Sequence, residues 1–155
     1  MINNYEFLPV DLNNRAELKS VLNRRFGLVE SLEVAEHLSP KRADSFIEDL
    51  TNLGDVILFS AAIAGQGGTH HINEQMQSYW AKKFENLGYV GIDYIRPLIW
   101  NNSSVEWWYR QNILIYCKLS ELRYYPKLYK FYISNPTVVY DVIHPELWKV
   151  KSRYR

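Results

Sequence analysis

Apolar positions along the chain fall into short runs separated by amphipathic stretches, an alternation that predicts an α/β protein. Tyr5 to Val10 reads as a short strand. Arg15 to Asn23 puts Leu18, Val21 and Leu22 on one side of a helix, with Asn14 placed to cap it. Phe26 to Leu32 reads as a buried strand. Ser39 and Pro40 have the chemistry of an N-cap and a first helical residue, and Phe46, Ile47 and Leu50 continue as an apolar stripe. Gly54 is placed to stop that helix. Asp55 to Ile63 is continuously apolar, as in the middle of a covered sheet. A polar, glycine-rich loop follows, Gly65 to His71. The next stretch places Met76, Tyr79, Trp80 and Phe84 along one helical face and ends at Gly88. Tyr89 to Arg96 and Asn112 to Lys118 are two more strands, with Trp107 and Trp108 between them. From Val29 to Gly91 the order is β-α-β-loop-α-β, in which functional residues belong at the carboxyl ends of the strands.

Composition narrows the class. A chain of 155 residues with 47% hydrophobic content suggests one globular domain, and 15% aromatic residues exclude a disordered chain. The longest apolar run, Val56 to Ala64, is too short to span a bilayer, which takes about 20 apolar residues. The opening residues MINNYEFLPVDLNN have neither the basic start nor the apolar core of a signal peptide. With a single cysteine, Cys117, no internal disulfide forms, so a reducing, cytoplasmic setting is expected. Cys117 itself reads as a small buried hydrophobe. The charge is unevenly distributed. Residues 122–155 carry seven Lys or Arg against two Asp or Glu, whereas residues 1–121 are net acidic. The expected organisation is therefore an α/β body over 1–121 and a basic, Tyr-rich extension over 122–155. That extension either packs its tyrosines on the body or meets an anionic partner. Nucleic acid is not expected, because no nucleic-acid motif accompanies the charge.

Two loops carry candidate chemistry. The first follows the Phe26–Leu32 strand and holds Glu33, Glu36 and His37, two carboxylates and an imidazole suited to ligand binding or acid/base work. Equally, the two glutamates suit the start of a helix, where they complement its dipole. The second is GQGGTHHINEQ, whose glycines allow a backbone to approach a ligand closely. His70, His71 and Glu74 lack the HExxH spacing, so no metal site is expected. Neither GxGxxG, GxxxxGK[ST] nor GxSxG occurs.

Three separated segments carry a resemblance: FGLVESLEVAEHL (26–38), LGDVILFSAAIAGQGGTHHINEQMQSYW (53–80) and GYVGIDYIRPLIWNNSSVEWWYRQNILIYC (88–117). Together they resemble the later portion of a class I S-adenosylmethionine-dependent methyltransferase, of a bacterial small-molecule branch with SLEVAEHL and GGxxHxNEQxxxYW signatures. The likeness covers roughly residues 5 to 118, and DVIHPELW (141–148) also looks like segments of that branch. It implies part of a Rossmann-like, doubly wound sheet. The fourth and fifth strands of the family would be followed in space by the seventh, antiparallel, and then the sixth. Asp11 and Leu12, with Ser31, Leu32 and Glu33, would line the cofactor, Asp11 near the adenine amino group. Glu36, His37 and the loop of His71, Asn73 and Glu74 would face a small-molecule acceptor, with His37 the first choice of base and His71 the second.

The family's opening strand with its GxGxG turn, and the acidic ribose partner after it, have no counterpart here. The resemblance starts at about the third strand. Gly27 stands where that branch usually has Asp, Ala64 where Pro is common and His70 where Gly is common. Losing several backbone contacts of about 1–3 kcal/mol each takes a micromolar ligand to millimolar or weaker. The isolated chain is therefore expected to bind S-adenosylmethionine weakly or not at all. A homodimer or a separate N-terminal half would complete the sheet. The expected function is a truncated or split methyltransferase, and the alternative is an inactive remnant serving as an interaction module.

Overall fold

The computed structural model describes residues 6–152. It is an α/β structure built on one four-stranded mixed sheet. The strands are β1 (Val29–Leu32), β2 (Val56–Ser60), β3 (Tyr89–Ile92) and β4 (Leu114–Lys118). Their spatial order is β1-β2-β4-β3. β1 and β2 are parallel, pairing Val29 with Ile57 and Leu32 with Ser60. β4 runs antiparallel to both its neighbours, pairing Phe59 with Leu114 and Val90 with Cys117.

Period-two alternation sorts the strand side chains onto two faces. Ile57, Phe59, Leu114 and Tyr116 point to one face. There they meet α2 (Ala43–Leu53) through Phe46, Ile47 and Leu50, and α3 (Gln77–Asn86) through Trp80 and Phe84. Phe84 stacks on Tyr116 with ring centroids 3.9 Å apart and an interplanar angle of 13°. Burying each such side chain contributes about 1.5–3 kcal/mol, which makes this the main core. Val56, Ile115 and Cys117 point to the other face, where Leu122 and the C-terminal chain cover them. That cover includes Leu128, Phe131 and Tyr132 of α6 (Pro126–Ser134). Thus the basic C-terminal segment lies on the sheet, closing its second face with aromatic side chains.

Several boundaries differ from the sequence reading. Tyr5 lies outside the described residues, and Glu6 to Val10 forms no strand. Among the described residues the first regular element is α1 (Arg15–Val21), where the side chain of Asn14 accepts from Glu17 N at 3.2 Å, the expected cap. Phe26 makes an isolated bridge to Gly54, and regular pairing starts only at Val29. Ser39 makes no side-chain cap, and Pro40–Arg42 forms a 3₁₀ turn before α2. Gly54 ends α2 in extended backbone with φ −166°. Its purpose is close approach: a Cβ there would sit 2.8 Å from Val29 Cγ2. Gly88, by contrast, has φ +80°, the left-handed stop that glycine supplies. β3 ends at Ile92, and the rest of the expected strand turns into α4 (Arg96–Ile99), with Pro97 in its first turn. Asn112 closes α5 (Trp107–Asn112) instead of opening β4.

Buried polar groups tie the C-terminal segment down. Arg96, 2% exposed, donates to both carboxylate oxygens of Asp93 and to the backbone carbonyls of Val139, Tyr140 and Gln111. Asp141 accepts from Ser78 N and Ser78 Oγ, both at 2.7 Å, in the first turn of α3. Beyond this strap, His144 N donates to Gln111 Oε1 at 2.8 Å, and α7 (Pro145–Ser152) follows. Among the described residues no helix is long and apolar enough to cross a membrane.

Candidate functional site

β1 and β2 are parallel, so their carboxyl ends open on the same edge of the sheet. A cleft of about 490 Å³ lies there, floored by Glu33, Glu36, His37 and His71. Trp107 and Trp108 from α5, and Val150 and Lys151 from α7, form its other walls.

Glu33 is the first residue past β1. Its N–H donates to both Ser60 O (3.0 Å) and Ser60 Oγ (3.1 Å), which prolongs the pairing by one residue. Its φ is +54°, a conformation non-glycine residues rarely adopt and one that clusters at functional sites. The side chain turns into the cleft, where Asn112 Nδ2 donates to Oε1 at 3.1 Å and Gln66 Nε2 donates to Oε2 at 3.3 Å. Those two amides are themselves linked, Asn112 Nδ2 donating to Gln66 Oε1, and Gln111 Nε2 donates to the same oxygen. The buried amide network fixes Glu33 as an acceptor with satisfied partners.

Glu36 differs. It sits in a single 3₁₀ turn, Ala35–His37, and is 0% exposed. Neither carboxylate oxygen has a hydrogen-bond partner among the described residues. Burial, reinforced by the nearby Glu33 carboxylate, pushes its pKa up to about 7. The N–H groups of Glu36 and Ala62 and the His71 ring pull it back part of the way, without well-formed hydrogen bonds. The backbone of Glu36 is anchored: its carbonyl accepts from Ile72 N (2.9 Å) and Asn73 N (3.0 Å). That clamp joins the two loops that carry the candidate chemistry.

The glycine-rich loop delivers His71. Its Nδ1 lies 2.9 Å from Glu74 Oε1, and its Nε2 lies 4.0 Å from Glu36 Oε1. Glu74 is held in turn by Gly65 N at 2.9 Å and Gly67 N at 2.6 Å. The ring lies flush against Gly68, where a Cβ would come within 2.4 Å of Nε2. His37 is exposed, with its ring centroid 4.8 Å from that of His71, and its Nδ1 lies 3.3 Å from the carbonyl of His70.

The residues expected to act on an acceptor, Glu36, His37 and His71, are therefore neighbours in one cleft. The five expected along a cofactor are divided. Glu33 shares the first cleft, whereas Leu12 and Ser31 line a separate apolar pocket of about 190 Å³ beside β1. Leu32 lines neither, and Asp11 is exposed and accepts from Asn13 N in a local turn. Sequence reasoning missed Gln66, Gln111 and Asn112, which look like ordinary loop amides until the fold brings them under Glu33. It also missed the contribution of α7 to the cleft wall. No family model matches this chain, and neither a curated protein nor a solved structure matches it.

Proposed function

We propose that this chain is the acceptor-side portion of a class I S-adenosylmethionine-dependent methyltransferase that acts on a small molecule. The observation that carries the reading is the sheet order β1-β2-β4-β3 with only β4 reversed. In support of the reading, these four strands have the order the resemblance implies for the family's fourth, fifth, seventh and sixth, although Glu6 to Val10, in the place of the third, forms no strand. Supporting it, the cleft lies at the carboxyl ends of the parallel pair, where open α/β sheets bind ligands. In the reaction the bond from the methyl carbon to the sulfonium sulfur breaks. A bond from that carbon to an oxygen, nitrogen or carbon of the acceptor forms, leaving S-adenosylhomocysteine and a proton. The chain's part is to hold the acceptor between the Trp107–Trp108 wall and the cluster of Glu36, His37 and His71, towards which the proton leaves.

The test is an amide NMR titration of the full chain with S-adenosylhomocysteine to several millimolar. Saturating shifts centred on Ser31, Leu32 and Glu33 are expected, with a dissociation constant in the millimolar range. Saturating shifts centred elsewhere refute the reading, and no shifts at any amide turn the choice to the second reading, which self-association then tests. A second reading, an inactive remnant that acts as an interaction module, is favoured by the free edge of β1. No strand pairs with its outer side among the described residues, and an unpaired edge is a template for another chain. Failure of the titration together with concentration-dependent self-association would support it.

A further inference from the structure

We propose that Glu36, His37 and His71 form a binding site for a divalent first-row transition cation, with open coordination positions facing the cleft. One ligand-capable atom from each residue lies within 4.8 Å of the other two. Adjacent ligand atoms around such a cation, at bonds of about 2.1 Å, sit about 3–3.4 Å apart. The cluster therefore contracts by about 1.5 Å on binding. His37 is exposed, so its rotation, which gives up the contact of Nδ1 with the His70 carbonyl, supplies the larger part of that movement, and a small shift of His71 towards Glu36 supplies the rest.

Four features of the site point to a cation. A buried carboxylate with two unpartnered oxygens is costly, and a cation bound to one of them supplies a partner. Next, His71 is already oriented as metal-bound histidines are, with one ring nitrogen on a carboxylate and the other directed at the ligand position. Glu74, which orients it, is fixed by two backbone N–H groups and stays outside the cluster. Finally, Gly68 leaves the space that the His71 ring fills. Two imidazoles and one carboxylate, with no thiolate, suit zinc, manganese or iron(II) with positions left open. The cluster is invisible to spacing rules, because Glu36 and His37 come from the end of β1 and His71 from the loop after β2.

The site stands on its own geometry, but its role towards an acceptor rests on the methyltransferase reading. In that role the cation would bind an acceptor hydroxyl and lower its pKa, the proton passing to water in the open cleft, with His37 and His71 as ligands in place of free bases.

The experiment is calorimetric titration of the chelator-stripped full chain with manganese(II) chloride and, separately, with zinc chloride. Saturable one-to-one binding of at least one cation is expected, with a melting temperature that rises with its concentration. Glu36→Gln and His71→Ala each weaken that binding by about tenfold or more. Gly68→Ala, which pushes the His71 ring aside, weakens it likewise. His70→Asn leaves it unchanged, since that side chain is not a ligand and Asn tolerates the φ of +59°. No saturable binding of either cation to the wild-type chain below about 1 mM overturns the proposal. So does binding that both Glu36→Gln and His71→Ala leave intact. Neither readout involves S-adenosylmethionine, so the cation site and the methyltransferase reading fail separately.

Discussion

Replacing Arg96 with methionine tests whether the C-terminal strap is integral to the fold. The substitution keeps an apolar stem and removes every donor. Five hydrogen bonds are lost, with distances from 2.8 to 3.3 Å, two of them to Asp93 and three to backbone carbonyls. Removing one partner of a buried ion pair costs about 3–5 kcal/mol, because the groups left behind have lost both water and partner. The Asp93 side chain is 26% exposed and recovers some hydration, which puts the cost at the lower end, about 3 kcal/mol. For a domain of this size that corresponds to a melting temperature lower by about 6–12 °C. Urea unfolding followed by tryptophan fluorescence measures the stability. Hydrogen exchange over residues 137–147 should show that segment opening before the sheet does, because Val139 and Tyr140 lose their anchor. The cleft should respond too, since the strap leads into α7, which carries Val150 and Lys151. A loss below about 1 kcal/mol, with unchanged exchange in the strap, would refute the reasoning.

Asp141→Ala removes the acceptor for Ser78 N and Oγ, and should cost about 1 kcal/mol in urea unfolding, as loss of a helix cap does. Tyr116→Phe should stabilise the chain by about 1 kcal/mol, because the wild-type hydroxyl is fully buried without a partner. A destabilisation of that size would point instead to a bridging water. Burial, with the nearby Asp55 and Glu121 carboxylates, raises the Cys117 thiol pKa to about 12. At pH 8 that leaves about one thiolate in ten thousand, so a disulfide reagent should titrate no thiol in the folded chain and one after denaturation. Reaction of the native protein within minutes would contradict this.

Much of the fold is visible in the periodicity. The strands around Val56 to Ser60 and Leu114 to Lys118, the helices carrying Phe46 and Phe84, and the stop at Gly88 follow from local rules of spacing and backbone freedom. Boundaries depart from the periodicity where two local signals compete. Ile92 to Ile95 looks like a continuing strand, but Pro97 and Arg96 favour a helical turn that buries a guanidinium. The candidate site was visible only as two loops at strand ends. Nothing in a linear pattern shows that Glu36 O would clamp Ile72 N and Asn73 N, and this clamp sets His71 beside Glu36.

Local sequence determined the elements and which faces are apolar, because helix and strand preferences act over a few residues. The tertiary structure alone decided the rest. Asp141 caps a helix that begins 64 residues earlier in the chain, at Gln77, and Arg96 gathers three carbonyls from two distant segments. Glu33 takes a left-handed backbone conformation with Ser60 paired to its N–H, and Glu36 loses both water and hydrogen-bond partners. These are consequences of burial and of non-local approach. The cost or benefit of a polar group depends on what the fold places against it, and that is not written within a helical turn of the group in the chain.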